Sequence, residues 1–157
     1  MEKSILFVCL GNICRSPAAD GVMRQKAAEA GLSVTIDSAG IGGWHIGQLP
    51  DSRMRQCGRK RGYDFNHHAR QISTADFADF DIIFGMDAQN IADLSSLAPS
   101  PEAKAKIRLM ADYLVEHKGQ KSIPDPYYGD ERDFNFALDL VEDAVDGIIT
   151  QIRKGLL

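Results

Sequence analysis

The residues best suited to chemistry lie near the N-terminus, in the run CLGNICRSP of residues 9–17. Five residues separate Cys9 from Arg15, and an apolar run, residues 5–8, comes directly before them. A strand followed by a tight loop and a helix N-terminus directs several backbone N–H groups toward one small volume, which suits an anion. A thiol and a guanidinium at the two ends of such a loop predict attack on a bound phosphate.

The two ends of the loop favour distinct roles. A helix N-terminus and a neighbouring cation both favour the thiolate form of Cys9, which is the nucleophilic form. The planar guanidinium of Arg15 can bind two phosphoryl oxygens at once. The hydroxyl of Ser16 can donate to the sulfur or cap the helix, with Pro17 at the first helical position, and we expect both.

The middle of the loop predicts a sharply turned backbone. Gly11 allows a turn without a Cβ clash, and Asn12 can adopt the left-handed conformation. The loop as a whole is predicted to bind phosphate through Leu10, Gly11, Asn12, Ile13, Cys14 and Ser16.

Strands and helices alternate along the chain. The predicted strands are residues 4–8, 33–37, 81–86 and 106–110, and the predicted helices are 16–30, 50–61, 73–80, 88–97 and 130–153. This order predicts an α/β fold: a single domain over residues 1–157, with a four-stranded parallel sheet, helices on both faces and the phosphate-binding loop after the first strand. Ligands bind beyond the carboxyl ends of the strands in such folds, which is where residues 9–15 lie.

Composition excludes several classes of function. The 157 residues are 44% hydrophobic and 25% charged, as in an ordinary globular protein. No apolar stretch is long enough for a signal peptide core or a membrane span, so we expect a cytoplasmic protein without membrane insertion. The net charge of −4 argues against nucleic acid as a partner. The basic segment 53–61 is interpreted as a solvated helix face, or as a rim that attracts anionic substrates.

Residues 8–17 resemble the signature of the low-molecular-weight protein tyrosine phosphatases. The runs DSAG (37–40), ARQI (69–72), MD (86–87) and DPYYG (125–129) follow in the order that this family shows, so the resemblance covers essentially the whole chain. It implies hydrolysis of phosphotyrosine and small aryl phosphates through a cysteinyl-phosphate, with Cys9 as nucleophile, Arg15 as phosphate clamp and Asp125 as general acid and base. No metal or cofactor is expected, because the loop supplies the positive charge.

Asp125 lies between Pro124 and Pro126, whose rings restrict where its carboxyl points. The residues alone favour a turn aspartate. The resemblance reverses that interpretation, because the general acid of the family lies in this Asp-Pro-Tyr-Tyr motif.

The resemblance also implies a pocket wall. Tyr127 and Tyr128 are expected to line the cleft, and Trp44 in a Gly-rich loop to complete an apolar slot with Leu10 and Ile13. Packing within the core or a loop is the alternative for these aromatic residues.

Several further residues correspond to the network that holds the family's phosphate loop in shape. Ser38 and His67 are implied to join Asn12 in it, although His68 is an alternative to His67. Asp87 either orients site residues or caps the next helix. Asp20 stands where we expect a glutamate in the family.

Two other functions remain to be weighed against the phosphatase. An arsenate reductase uses a similar loop but needs further cysteines to pass a disulfide along, and only Cys57 lies beyond the loop. A phosphotyrosine-binding module without turnover is expected to lack Cys9, Arg15 or Asp125, and the chain has all three.

Cys14 is a redox candidate. The chain has three cysteines, which rules out a fully paired intramolecular framework. Cys14 can trap an oxidised Cys9 as a disulfide, or it is a small buried loop residue. The partners expected of the chain are tyrosine-phosphorylated proteins as substrates and inorganic phosphate as product and inhibitor.

Overall fold

A four-stranded parallel sheet organises the chain in the computed structural model, which describes residues 2–157. Its strands are β1 (Lys3–Cys9), β2 (Val34–Gly40), β3 (Ile82–Gly85) and β4 (Ile107–Leu109), in the spatial order β2-β1-β3-β4. All three strand pairs are parallel, which confirms the predicted sheet. The strand order reverses between β1 and β3, so the carboxyl ends of these two strands mark the expected ligand site.

Six α-helices connect or flank the strands: α1 (Arg15–Glu29), α2 (Ser52–Lys60), α3 (Asp76–Asp79), α4 (Ala88–Leu97), α5 (Pro101–Lys104) and α6 (Glu131–Arg153). The short helix α5 and a 3-10 turn over Met110–Tyr113 were not predicted from the sequence. Helix α5 begins with a Ser100 cap and Pro101 at its first turn, a start signal that the sequence carried. No helix within residues 2–157 has the length and apolar character needed to cross a membrane.

Both faces of the sheet are covered. Successive side chains of β1 point to opposite faces, so Ile5 and Phe7 pack in a large core with α1 and α6. Leu6 and Val8 pack in a smaller core with residues of α3, α4 and α5. The continuous apolar run before Cys9 is therefore explained by burial on both sides, and the predicted placement of helices is confirmed.

Helix α6 supplies much of the larger core. It begins with a capping box, in which the carboxylate of Asp130 accepts from the N3 backbone and the Asp133 carboxylate accepts from the Asp130 N–H. The predicted apolar face is fully buried at Phe134, Leu138, Val141, Val145 and Ile148, whereas Ile152 is only partly buried.

The basic segment 53–61 forms most of α2, and part of it packs against α6. Arg61 is only 23% exposed and lies 2.8 Å from the Asp139 carboxylate, while Lys60 pairs with Glu131 at 2.9 Å on the surface. The expectation of a solvated helix face is therefore wrong for Arg61, which fastens α2 to α6.

Candidate active site

The loop between β1 and α1 is held by its carbonyl groups. The carbonyl of Cys9 accepts from Ile41 N–H and that of Leu10 from Gly42 N–H, both at 2.9 Å. The Ile13 carbonyl accepts from the N–H of Asp51 at 2.7 Å. The segments that follow β2 and precede α2 thus fix the loop from one side.

The amide groups of this loop are arranged differently from its carbonyls. No hydrogen bond joins the N–H groups of residues 10–14 to another backbone carbonyl among the described residues. Buried backbone donors normally have partners, and a turn that leaves several of them free next to a helix N-terminus is typical of an anion site. The loop is therefore built to receive an anion.

Cys9 ends β1 and is 3% exposed, with its Sγ 3.0 Å from the Ser16 hydroxyl oxygen. Asn12 Nδ2 donates to that same oxygen at 2.7 Å, so the hydroxyl hydrogen of Ser16 can be donated to the sulfur. The other acceptor near this hydroxyl, the Ala39 carbonyl, is farther away, at 3.5 Å. Helix α1 begins at Arg15 with Cys14 at the N-cap position and no side-chain cap. The predicted N-cap role of Ser16 is therefore wrong, because this serine lies inside the first turn and its hydroxyl contacts the loop. Pro17 is the third residue of the helix, not the first as predicted.

Asn12 is the centre of the loop's hydrogen-bond network. It is fully buried and left-handed, with φ of 59°, as predicted. Its Nδ2 also donates to the Ser38 hydroxyl at 3.1 Å, and its Oδ1 accepts from the Arg70 N–H at 3.0 Å. Nε2 of His67 lies 3.2 Å from the same Oδ1. The structure thus brings together the support residues named from the sequence, with His67 rather than the exposed His68 in the network.

Glycines let neighbouring segments approach the loop closely. A Cβ on Gly11 would lie 3.0 Å from Cδ2 of His45, and one on Gly40 would lie 2.9 Å from the Gly11 carbonyl carbon. The need for glycine here comes from close packing, since the left-handed residue of the turn is Asn12.

Arg15 is buried and held in a fixed orientation. Its side chain is 3% exposed, and Nη1 donates to Asp87 Oδ2 at 2.7 Å and to the Ile123 carbonyl at 3.0 Å. Burial alone would lower the pKa of Arg15, but the negative charge of Cys9 and the hydrogen bond to Asp87 raise it above its ordinary value. The guanidinium therefore stays charged beside the loop.

Asp87 combines the two roles considered for it. One carboxylate oxygen accepts from Arg15, and the other accepts from the Asn90 N–H at 2.8 Å as the N-cap of α4. Asp87 lies two residues after the end of β3, and Cys9 ends β1. Because these two strands are parallel neighbours, both residues lie at the same edge of the sheet.

Asp125 lines the same cavity as the loop and lies beside Arg15. Its Oδ2 lies 3.7 Å from Nη2 of Arg15, and its side chain is 40% exposed. Its Oδ1 accepts from the Tyr127 N–H at 3.1 Å, which is a turn of the Asx type. Asp125 is thus both a turn aspartate and a residue of the cavity, so the two interpretations of it hold together.

A cavity of about 290 Å³ lies between the loop and these side chains. Its lining brings together the predicted nucleophile, the arginine and all three aromatic residues named from the sequence: Cys9, Leu10, Gly11, Ile13, Cys14, Arg15, Trp44, His45, Asp125, Tyr127 and Tyr128. Asn12, Ser16, Ser38 and His67 lie behind the loop rather than in the cavity wall. The sequence did not indicate that His45 lines the cavity or that the Ile123 carbonyl accepts from Arg15. For His45, its position next to Trp44 was the one available signal, and for the Ile123 carbonyl there was none.

The aromatic side chains form the outer rim of this cavity. Trp44 is 68% exposed and Tyr128 is 96% exposed, whereas Tyr127 is 36% exposed. The two tyrosine rings meet edge to face with centroids 5.0 Å apart. The rim therefore offers apolar surface to a group that enters the cavity.

Arg53, from the basic segment, supports that rim. Its guanidinium lies 4.5 Å from the Phe134 ring centroid and 5.5 Å from that of Tyr127. Its Nη2 donates to the Tyr127 carbonyl at 3.0 Å, and it also pairs with Asp51. Arg53 thus connects α2 to the loop that carries Asp125.

Cys14 lines the same cavity but differs from Cys9 in its electrostatic environment. It is 4% exposed, and burial together with the negative charges of Asp51 and Cys9 raises the pKa of its thiol. Cys14 is therefore protonated at neutral pH. Cys9, Cys14 and Cys57 are all free thiols.

Comparison with known proteins agrees with this geometry. Residues 4–156 match the family model for low molecular weight phosphotyrosine protein phosphatase. The chain is 42% identical over 154 residues to the low molecular weight protein-tyrosine-phosphatase YfkJ of Bacillus subtilis, covering 96% of each chain. It is 44% identical over 135 residues to the low molecular weight phosphotyrosine protein phosphatase of Homo sapiens, covering 84% of each. A crystal structure of a protein tyrosine phosphatase from Entamoeba histolytica superimposes with a TM-score of 0.95 at 42% identity, covering 99% of this chain and 100% of that one.

Proposed function

The chain belongs to the low molecular weight phosphotyrosine protein phosphatase family, and we propose that Cys9, Arg15 and Asp125 carry its reaction as nucleophile, phosphate ligand and general acid. The family's enzymes are cysteine-dependent hydrolases, so the chain is a protein tyrosine phosphatase. One observation carries the assignment of residues: a thiol, a guanidinium and a carboxyl line one cavity above a loop with free amides.

Phosphate binding is the first step. Asp87 and the Ile123 carbonyl occupy Nη1 of Arg15, which directs the rest of the guanidinium toward the cavity. Asp125 contacts Nη2 only at 3.7 Å, longer than a hydrogen bond, so an incoming phosphate can take its place. The loop amides and Arg15 then bind the non-bridging oxygens and stabilise the charge that develops on them.

The first chemical step transfers the phosphoryl group to sulfur. The thiolate of Cys9 attacks phosphorus, an S–P bond forms, and the bond from phosphorus to the tyrosyl oxygen breaks. The carboxyl of Asp125 gives its proton to the departing phenolate, which leaves as tyrosine. The hydroxyl of Ser16 stabilises the thiolate before attack, since it lies 3.0 Å from the sulfur.

The second step returns the enzyme to its starting state. The Asp125 carboxylate takes a proton from a water molecule whose oxygen attacks phosphorus. The S–P bond breaks, inorganic phosphate forms, and Cys9 leaves as the thiolate that Ser16 and the loop stabilise. Arg15 and the loop amides balance the charge on the transferred group throughout.

The rim explains a preference for aryl phosphates. Trp44, Tyr127 and Tyr128 can pack against a phenyl ring whose phosphate reaches Cys9. Phosphoproteins are the substrates that the family implies. We propose that free phosphate, which makes the same contacts as the transferred group, is a competitive inhibitor.

Hydrolysis of p-nitrophenyl phosphate and phenyl phosphate tests the assignment. We expect no measurable turnover by Cys9→Ser and a loss of about 10²–10⁴-fold by Asp125→Asn on phenyl phosphate, whose leaving group needs the proton. The loss on p-nitrophenyl phosphate should be smaller, because its leaving group is more acidic. Asp112→Asn, at an exposed aspartate of the 3-10 turn, is the matched control and should behave as the parent.

The outcomes separate the parts of the proposal. Turnover by Cys9→Ser at the parental rate would falsify the assignment of Cys9 as the nucleophile. If Asp125→Asn lowers the rates of hydrolysis of the two esters equally, Asp125 is not the general acid, and the assignment of Cys9 as nucleophile is unaffected. Phosphate that lowers kcat without raising KM for p-nitrophenyl phosphate would contradict competitive inhibition.

A further inference from the structure

A second group of polar side chains lies behind the phosphate-binding loop. Asp20 of α1, Asp37 of β2 and His67 each offer one ligand atom, and these atoms lie within 4.8 Å of one another. We propose that these three side chains bind a zinc ion at a site separate from the catalytic residues. The proposal goes beyond the phosphatase reaction and does not depend on it.

Asp20 provides the observation that points to a cation. It is 2% exposed, and one oxygen accepts from Nε of Arg24. The other, Oδ2, is buried without a hydrogen-bond partner among the described residues, although it faces His67. Buried carboxylate oxygens almost always have a partner, because losing water without replacement is costly. An ion at this point satisfies Oδ2.

The tautomer of His67 is fixed by Asn12. The Oδ1 of Asn12 accepts from the Arg70 N–H, so this atom is an oxygen acceptor and not an amide nitrogen. Nε2 of His67, 3.2 Å from the same oxygen, must therefore carry a hydrogen. Zinc binds an imidazole in its neutral form, whose lone pair would then lie on Nδ1, the atom that faces the two carboxylates. A histidine that donates its other N–H to a carbonyl oxygen is the usual form of a metal ligand.

The distances fit an ion better than direct hydrogen bonds. Nδ1 of His67 lies 3.5 Å from Oδ1 of Asp37 and 3.7 Å from Oδ2 of Asp20. Both exceed the usual hydrogen-bond range. Ligand atoms about 2.0–2.2 Å from zinc stand about 3.4 Å apart in a tetrahedron, which is close to the two distances from His67. The two carboxylate oxygens lie within 4.8 Å of each other.

The donor set favours zinc over the commoner hard cations. One imidazole and two carboxylates are typical zinc ligands, with water in the fourth position. Magnesium and calcium prefer oxygen ligands alone. Arg24 donates to Oδ1 of Asp20 and Arg70 donates to Oδ2 of Asp37, which are the oxygens not offered to the ion. These contacts orient the carboxylates, but the positive charges lower their attraction for a cation. We therefore expect weaker binding than at a cysteine-rich structural zinc site.

An ion can reach the site without passing through the catalytic cavity. Asp20 and His67 line a second cavity of about 530 Å³, whose other lining residues include Arg24 and Asp64. The side chains of His67 and Asp37 are 19% and 32% exposed. The ion would hold His67 against Asn12, and through Asn12 the loop, without contact with the reacting atoms.

Calorimetric titration of the metal-free full chain with zinc chloride tests this proposal. All proteins carry Cys9→Ser, which removes the competing thiolate and makes the result independent of catalysis. We expect one zinc ion per chain, binding weakened at least about tenfold by added Asp20→Asn and unchanged by added Asp112→Asn. Asp37→Asn is a second variant with the same expected loss, and circular dichroism confirms which variants are folded.

Cobalt chloride provides a spectroscopic readout of the ligands. A cobalt ion bound by nitrogen and oxygen gives visible d–d absorption without a thiolate-to-cobalt charge-transfer band. Such a spectrum, lost in folded Asp20→Asn or Asp37→Asn, supports the site. Absence of zinc binding, a thiolate band from Cys14 or Cys57, or unchanged affinity in either folded variant overturns it.

Discussion

The carboxylate of Asp87 lies 2.7 Å from the buried guanidinium of Arg15 while its second oxygen caps helix α4. One side chain therefore neutralises a buried charge and fixes the start of a helix at the same sheet edge. A buried arginine without its carboxylate partner is strongly unfavourable, so the orientation of Arg15 depends on Asp87.

Two substitutions separate these tasks of Asp87. Asp87→Asn keeps a capping oxygen but removes the charge beside Arg15, so we expect kcat/KM for p-nitrophenyl phosphate to fall about tenfold. The free energy of unfolding should fall as well, because Arg15 stays buried without its charged partner. Asp87→Ala removes the cap as well and should lower the free energy of unfolding by about 1 kcal/mol more. Steady-state kinetics and urea unfolding measure the two effects. Parental kcat/KM in Asp87→Asn contradicts the positioning role.

Ser16→Ala removes the hydroxyl that lies 3.0 Å from the Cys9 sulfur. The thiolate then loses a hydrogen bond worth about 1.5–3 kcal/mol for a charged acceptor. We expect a lower kcat and a slower inactivation by iodoacetate at neutral pH than in the parent. Ser96→Ala, at an exposed position of α4, is the control. Identical kcat values and inactivation rates for Ser16→Ala and Ser96→Ala argue against the contact.

Cys14 is predicted to protect Cys9 from irreversible oxidation. After peroxide and then dithiothreitol, we expect the parent to regain more activity than Cys14→Ser, because a disulfide with Cys9 is reducible. Burial raises the pKa of Cys14, so its thiolate is scarce near neutrality. The recovered fraction should therefore increase with pH and should still be increasing above about pH 8.5, where an ordinary thiol is already half ionised. Equal recovery by the parent and Cys14→Ser removes the protective role.

Asp143 of α6 fastens the segment after the 3-10 turn. Its carboxylate accepts from the N–H groups of Val115, Glu116 and His117 and lies 3.0 Å from Nδ1 of His117. Burial would raise the pKa of Asp143, but these hydrogen bonds outweigh it and hold the pKa below its ordinary value. The carboxylate is therefore more stable in the folded chain than in the unfolded chain.

The stability that Asp143 contributes should depend on pH. A lowered folded pKa gives stability that is complete above the unfolded pKa, about 3.9, and is lost as the pH falls through the folded pKa. We expect Asp143→Asn to lower the free energy of unfolding by about 2–4 kcal/mol at neutral pH, with a smaller difference from the parent below about pH 4. Urea unfolding at several pH values measures this. A difference that is constant with pH contradicts the assignment.

Most secondary structure followed from local patterns, with errors at element ends. The predicted strand 33–37 extends to Gly40, where glycine lets β2 lie against the phosphate-binding loop. The predicted helix 73–80 reduces to Asp76–Asp79. These boundaries depend on contacts with distant segments, which the periodicity of a short stretch does not contain.

The sequence by itself determined the order of strands and helices, the loop of residues 9–17 and the buried face of α6. These are properties of neighbouring residues, such as apolar spacing, a left-handed Asn12 and prolines around Asp125. Only the tertiary structure decided that Asp125 and Asp87 meet Arg15, that Ser16 serves the sulfur rather than the helix end, and that Asp20, Asp37 and His67 form one cluster. Asp87 reaches Arg15 because the order β2-β1-β3-β4 brings the ends of β1 and β3 together. The other contacts depend on how the loop and the segments around it pack, and residue types along the chain do not specify such distances.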